Sequence, residues 1–252
     1  MTPRGGRILQ LPVREGWLHA VLTLPAEVRA ALLVLPPFFH EWQRSYRMFA
    51  LLAEHLSRRG VATLRFDYRG TGDSSGADVD FLPGRALEDA HVAFIALAAH
   101  TRAPITLLGV RAGALLAERL AERVGRPWLA WQAVTDGRAH FEALAERDQR
   151  ECNNRLRFPF RGPKQARRDD QLMGHRLHPE FALEMGIFRR GSPPALVIDA
   201  ESRCAAGDLA LPPALSSWED EVDLQGSLPT SVVEALAERL AAALPVGTGA
   251  VA

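Results

Sequence analysis

Lysine is almost missing from this chain: Lys164 is the only one, and every other cation is arginine. The simplest source of that bias is a GC-rich genome, and no function is read from it. Charge excess is missing too. Lys and Arg total 30 and Asp and Glu total 30, so bulk charge gives no footing for nucleic-acid binding. Cysteine is scarce. Cys152 and Cys204 stand far apart without metal-type spacing, which fits a reducing compartment and argues against a disulfide framework. There is no signal-peptide h-region and no apolar run long enough to span a bilayer, so a soluble cytoplasmic protein without membrane insertion is expected. Internal repeats and low-complexity segments are also absent, apart from a tail from Gly247. Histidine is missing from one place: the eight are His19, His40, His55, His91, His100, His140, His175 and His178, and none lies beyond residue 178.

What remains is 252 residues, 47% of them apolar, enough for one domain with a real core or one domain carrying an insertion. Residues 7–13, 17–24 and 30–35 read as strands, the last nearly all apolar, as a strand covered on both faces would be. Pro36 and Pro37 end it and stiffen a loop through Phe38, Phe39, His40 and Glu41. Residues 43–59 are amphipathic and helical, stopped by Gly60. The next strand is 61–66, the next helix 84–100, then a strand at 104–108, a helix at 112–124 and a strand at 127–134. Alternation of this kind implies a mostly parallel, doubly wound sheet. Residues 137–190 differ: polar and helical in pattern, with Arg138, Arg147, Arg150, Arg155, Arg157, Arg161, Arg167 and Arg168. A strand follows at 195–199, then an irregular stretch to Pro229 and a helix at 231–244 capped by Thr230.

Two motifs stand at the sheet. Asp67-Tyr68-Arg69-Gly70-Thr71-Gly72-Asp73-Ser74 follows the fourth strand. Its expected work is structural, with Asp67 and Arg69 tying the loop down and the glycines supplying positive φ. Gly109-Val110-Arg111-Ala112-Gly113 joins a strand to a helix through a sharp turn. This layout resembles the nucleophile elbow of α/β-hydrolases, and the resemblance implies that fold, a core of residues 1–136 and 191–252, and a cap formed by the Arg-rich insertion 137–190.

The chemistry of that fold is not intact. The central elbow residue should be Ser, Cys or Asp and is Arg111, a guanidinium that stays protonated and cannot attack a carbonyl. The order should continue with an acid and then a histidine. Asp199 can hold the acid position, with Asp136 as a lesser candidate, but the C-terminal segment that should carry the base, beyond residue 178, contains no histidine. Ser74 or Ser75 with His40 would be a displaced nucleophile and base, giving an active esterase- or peptidase-like serine hydrolase as the alternative reading. Metal hydrolysis has only His175, His178 and Glu180 as a local group, more simply read as a solvated helix face, and no metal or other cofactor is expected. Cys152 lacks an obvious partner and reads as an incidental thiol. The backbone N–H groups of Phe38 and Ala112, with Arg111 between them, can still form an anion pocket for carboxylate or phosphate. Arg111 can equally pair internally with Asp199, Asp136 or Glu41. The cap arginines can add cations to such a pocket or simply form a solvated face.

Three stretches carry a narrower resemblance. Leu35-Pro36-Pro37-Phe38-Phe39-His40-Glu41-Trp42-Gln43-Arg44-Ser45-Tyr46-Arg47-Met48, the elbow Gly109-Val110-Arg111-Ala112-Gly113-Ala114-Leu115-Leu116-Ala117, and Trp131-Gln132-Ala133-Val134 resemble the second family of exosortase A system-associated hydrolases. The similarity runs over roughly residues 15–190, with Pro36 where relatives often carry His. It implies an association with the exosortase and exopolysaccharide system. The expected protein is then a pseudo-hydrolase that binds a small anionic ligand or a protein of that pathway.

Overall fold

The computed structural model describes residues 6–154, 166–216 and 230–247. The cap arginines Arg155, Arg157 and Arg161, Lys164, and residues 217–229 of the stretch leading to Pro229 lie outside the described residues.

The chain opens with a hairpin, β1 (Arg7–Val13) and β2 (Gly16–Thr23), and continues through β3 (Ala30–Leu35), α1 (His40–Ser57), β4 (Val61–Phe66), α2 (Pro83–Ala98), β5 (Ile105–Val110), α3 (Gly113–Val124) and β6 (Trp128–Trp131). After β6 come α4 (Gly137–Cys152), a ribbon of β7 (Gln171–Leu172) and β8 (His175–Arg176), and α5 (Phe181–Ile187). The chain then returns to the main sheet with β9 (Leu196–Ala200) and β10 (Leu209–Leu211), followed by α6 (Pro213–Ser216) and α7 (Thr230–Ala243). The main sheet has eight strands in the order β1-β2-β4-β3-β5-β6-β9-β10. β2 is antiparallel to both β1 and β4, and every later pairing is parallel.

Burial explains the layers. β3, β4 and β5 are buried at every position, as parallel strands covered on both faces must be. Successive side chains then alternate between two cores. Leu32, Val34, Leu108 and Val110 join Phe49 and Leu52 of α1 and Leu236 and Leu240 of α7 on one face. Leu33, Leu35 and Leu107 join Ala90 and Ala93 of α2 and Leu116 and Leu120 of α3 on the other. The strand order reverses at β3, whose neighbours are β4 on one side and β5 on the other. In open α/β sheets such a switch point leaves a crevice at the carboxyl ends of the strands, where ligands bind.

Three expectations change. α1 begins at His40 rather than at residue 43, with Phe39 as its N-cap, so His40 and Glu41 sit in the first helical turn instead of a loop. The insertion is not purely helical, because Met173 (φ 50) and Gly174 (φ 88) close the β7–β8 ribbon. Two-residue strands are too short to show a period in the sequence. The stretch after β9 is not wholly irregular either: β10 pairs in parallel with β9.

Both ends of the insertion are tied at one place. Gly137 N donates to Phe188 O (2.8 Å) and Arg190 N to Thr135 O (2.9 Å). Glu184 of α5 accepts from Gly84 N of α2 at 2.8 Å, fixing the insertion to the core.

Candidate functional site

Three non-glycine residues with positive φ stand just past the carboxyl ends of three adjacent strands. They are Phe39 (φ 51) after β3, Arg111 (φ 50) after β5 and Gln132 (φ 41) after β6. Such backbone costs free energy and persists only where the surroundings over-determine it. At the elbow those surroundings are visible. A Cβ on Gly109 would lie 2.5 Å from Ala114 Cα, and one on Gly113 would lie 2.3 Å from Leu35 O, so only glycine lets α3 approach β3 and β5 this closely. Arg111 N donates to Trp131 O (3.0 Å), and Arg111 O accepts from Ala114 N and Val134 N, both at 3.1 Å.

The Arg111 side chain turns to Glu41. Nε lies 3.2 Å from Glu41 Oε1, and Nη1 donates to Gln132 O at 3.2 Å. Glu41 is 3% exposed. Of the three acids open to Arg111 in the sequence, the partner is therefore Glu41. Asp199 does stand on β9, but its Oδ1 accepts from Ala200 N and faces Arg203 Nε at 3.3 Å. Asp136 caps α4, accepting from Ala139 N at 3.0 Å, and pairs with Arg189 at 3.0 Å. The Ala139 N–H, with the Arg189 charge behind it, holds the Asp136 carboxyl below the usual range.

The three stretches of the narrower resemblance thus meet at one guanidinium: Glu41 from the first, Arg111 from the second and the Gln132 carbonyl from the third. Ala112, the N-cap of α3, is buried. Phe38 packs its ring against Phe81 (centroids 4.9 Å) and Tyr68 (5.9 Å).

His40 precedes Glu41 on α1, and His140 on α4 feels the Glu41 charge. His40 Nδ1 and Nε2, His140 Nε2 and Glu41 Oε2 are all sealed from solvent and have no hydrogen-bond partner among the described residues. Burial pushes the His40 imidazole down to about 4, with Glu41 opposing and Arg147, Arg44 and His175 adding to the drop. Burial also lowers His140, against Glu41 and with Arg111. Both rings are neutral near pH 7. Sequence reasoning passed over His140. The signal for it was its place in the first turn of the helix capped by Asp136, which starts at the carboxyl edge of the sheet.

The other candidates do not converge here. Ser74 Oγ donates to Asp67 O (2.6 Å) and accepts from His19 N, and Ser75 Oγ is exchanged with both backbone groups of Trp17. Both hydroxyls serve the main chain. His175 pairs with Asp78 (3.4 Å) and stacks on Phe39, while His178 Nδ1 accepts from Glu180 N. Cys152 Sγ lies 3.8 Å from Asp148. Of the cap arginines, Arg167 pairs with Asp169 and Arg168 with Asp170. Among the described residues, one trio has metal-ligand spacing, His19, Asp67 and Asp73, within 4.8 Å. Its central carboxylate already accepts from Trp42 Nε1 (2.6 Å) and Asp73 N (3.0 Å).

No known family profile matches the chain, and no curated protein matches it. Solved structures do. A structure from Agrobacterium vitis S4, provisionally named a hydrolase, aligns with TM-score 0.54 at 17% identity over 77% of this chain and 78% of that one. The mouse alpha/beta hydrolase domain-containing protein 10 aligns with TM-score 0.52 at 17% identity, over 76% of each chain. A lid-less α/β serine hydrolase from Xanthomonas campestris aligns with TM-score 0.43 at 22% identity, and the match spans 62% of its length. Together with the sheet order, the first two likenesses define the class: the chain has the α/β-hydrolase fold. No helix among the described residues is long and apolar enough to cross a membrane.

Proposed function

We propose that this α/β-hydrolase-fold protein is a pseudo-hydrolase, which binds a polar ligand at the elbow and does not cleave it. The observation that carries the reading is the Arg111–Glu41 pair at 3.2 Å. A protonated guanidinium, already engaged, occupies the position where the fold's chemistry needs a nucleophile. The sequence agrees, since no histidine lies beyond residue 178 to act as base.

The ligand sits at the carboxyl ends of β3 and β5, against Arg111 and the N–H groups of Phe38 and Ala112. Residues 137–190 act as its cap over a core of 1–136 and 191–252. The ligand this reading expects is a small anion, a carboxylate or phosphate, which would share Arg111 with the buried Glu41. The assignment to the exosortase and exopolysaccharide system, and a cytoplasmic location there, rest on the three motif stretches, and their meeting at Arg111 supports reading them as one signature.

The test is hydrolysis of short-chain p-nitrophenyl esters by the purified protein, with Arg111→Ala and Ser74→Ala alongside. The expected result is no turnover above buffer in any of the three. Turnover that disappears in one point variant would establish an unorthodox hydrolase and end the pseudo-hydrolase reading.

A further inference from the structure

We propose that His19, Asp67 and Asp73 form a binding site for a transition-metal dication of the zinc type. One ligand atom from each, an imidazole nitrogen and two carboxylate oxygens, lies within 4.8 Å of the others. Ligand atoms on one Zn²⁺, each about 2.0–2.2 Å from the ion, stand roughly 3.5 Å apart. Asp73 is exposed, so its side chain can close that gap while the site stays open to water. Main-chain bonds fix where the three side chains start. Asp67 N donates to His19 O (2.9 Å), His19 N to Ser74 Oγ (2.8 Å) and Asp73 N to Asp67 Oδ2 (3.0 Å). Leu18 and Ala20 belong to the core against α2 and α3, so His19, between them on β2, projects to the opposite face of the sheet.

Charge at this place points to a cation. Asp67 is 3% exposed, and two carboxylates this close repel unless a positive charge lies between them. Among the described residues, neither Asp67 nor Asp73 forms an ion pair, and the His19 ring makes no hydrogen bond. The arginines nearest in sequence are engaged elsewhere. Arg65 feels the Asp67 charge, but its guanidinium lies over the Tyr46 ring, 4.9 Å from the centroid, and Arg69 pairs with Asp89 at 2.8 Å. Buried charges are paired or coordinate metals. Trp42 Nε1 (2.6 Å) and Asp73 N use one lone pair on each Asp67 oxygen, and each oxygen keeps a second. The two donors orient the carboxylate, as the outer partners of metal ligands do. One imidazole nitrogen with two carboxylate oxygens suits Zn²⁺ or Mn²⁺ better than Mg²⁺ or Ca²⁺, which take oxygen. Three protein ligands leave a fourth position for water.

The experiment is isothermal titration of the untagged, chelator-treated full chain with Zn²⁺, Mn²⁺, Mg²⁺ and Ca²⁺. About one Zn²⁺ per chain is expected, bound tighter than Mn²⁺, with Mg²⁺ and Ca²⁺ weakest. Asp73→Asn and His19→Gln should each weaken Zn²⁺ at least about tenfold. Both keep the main-chain bonds, and circular dichroism melting with chelator present shows that they fold. Zn²⁺ should raise the Tm of the parent and not that of the variants. Co²⁺ in its place should give visible d–d bands without thiolate charge-transfer absorption. A thiolate band assigns the ion to Cys152 or Cys204 and overturns the proposal. So does an absence of Zn²⁺ binding, a preference for Mg²⁺ or Ca²⁺, or a Zn²⁺ affinity that both substitutions leave unchanged. The trio shares no residue with the elbow, so neither result bears on the pseudo-hydrolase reading.

Discussion

Two polar clusters lie at the carboxyl edge of the sheet, on either side of β3, and their polar groups are used in opposite ways. In the loop after β4, nearly everything is satisfied. Asp67 takes Trp42 Nε1 (2.6 Å) and Asp73 N (3.0 Å), Arg69 holds Asp89 through its backbone N–H and Nε (2.9 and 2.8 Å), and Ser74 and Ser75 lock the loop to β2. Gly72, at φ 53, is needed because a Cβ there would stand 2.3 Å from Asp67 Oδ2. At the elbow after β5, Glu41, His40 and His140 keep sealed atoms without partners. A closed network rigidifies, and an open one waits for a complement. Serines in the closed network are therefore poor candidates for chemistry, however close to the sheet edge they stand.

Breaking the closed network should have the largest effect. Asp67→Ala strands the buried Trp42 Nε1 and the partly buried Asp73 N, at about 1–3 kcal/mol each, for a total near 3 kcal/mol. A drop of roughly 6–12 °C in Tm follows for a chain of this size. A change of only a degree or two would show that water satisfies the loop as well as Asp67 does. Next comes Arg111→Met, which leaves the Glu41 charge buried without its cation and should cost about 3 kcal/mol. Adding Glu41→Leu should recover most of that loss, because an apolar pair of similar volume replaces a buried ion pair at little cost. Additive losses in the double variant, measured by urea unfolding, would mean that the pair is not coupled.

Acid should separate the two clusters again. The folded pKa of His40, about 4, lies below the ordinary 6.5, so the folded chain binds fewer protons than the unfolded one between those values. The stability linked to His40 is complete above about pH 6.5 and is lost as pH falls towards about 4. Glu41 pulls the other way, while Arg147, Arg44 and His175 reinforce the shift. Because the ring is partly exposed, the loss by pH 4.5 is about 1–2 kcal/mol. His40→Gln should flatten that limb of the unfolding profile, and an unchanged limb would assign it to other groups.

The sequence showed the sheet because its signals are local. Fully apolar runs such as residues 30–35 mark covered strands, and the glycines at 109 and 113 mark a turn that leaves no room for side chains. The loop-tying roles of Asp67 and Arg69 were equally legible, since turn chemistry lies within a few residues. The partner of Arg111 was not. Asp199, Asp136 and Glu41 all sit near strand ends, and only the early start of α1 turns Glu41 inward. The β7–β8 ribbon and β10 escaped because strands of two or three residues carry no period. His140 escaped because Glu41, whose charge it feels, is about a hundred residues away in sequence, and composition cannot reveal such a coupling.

The smallest expected effect is the most discriminating. His140→Phe replaces a ring whose sealed Nε2 has no hydrogen-bond partner among the described residues with an apolar one of similar volume. Where a polar atom has no partner, exchanging it for an apolar group removes a desolvation cost and breaks no bond. The variant should therefore match the parent or exceed it by about 0.5–1 kcal/mol in urea unfolding at pH 7. Ser74→Ala, in the closed network, should instead lose about 1 kcal/mol, because its Oγ serves both Asp67 O and His19 N. Opposite signs from two small truncations of polar groups at the same edge of the sheet would separate a hydroxyl that locks the chain from a ring nitrogen that bonds to nothing. If His140→Phe is destabilising by as much as Ser74→Ala, His140 is already bonded in solution, and the elbow is a second closed network.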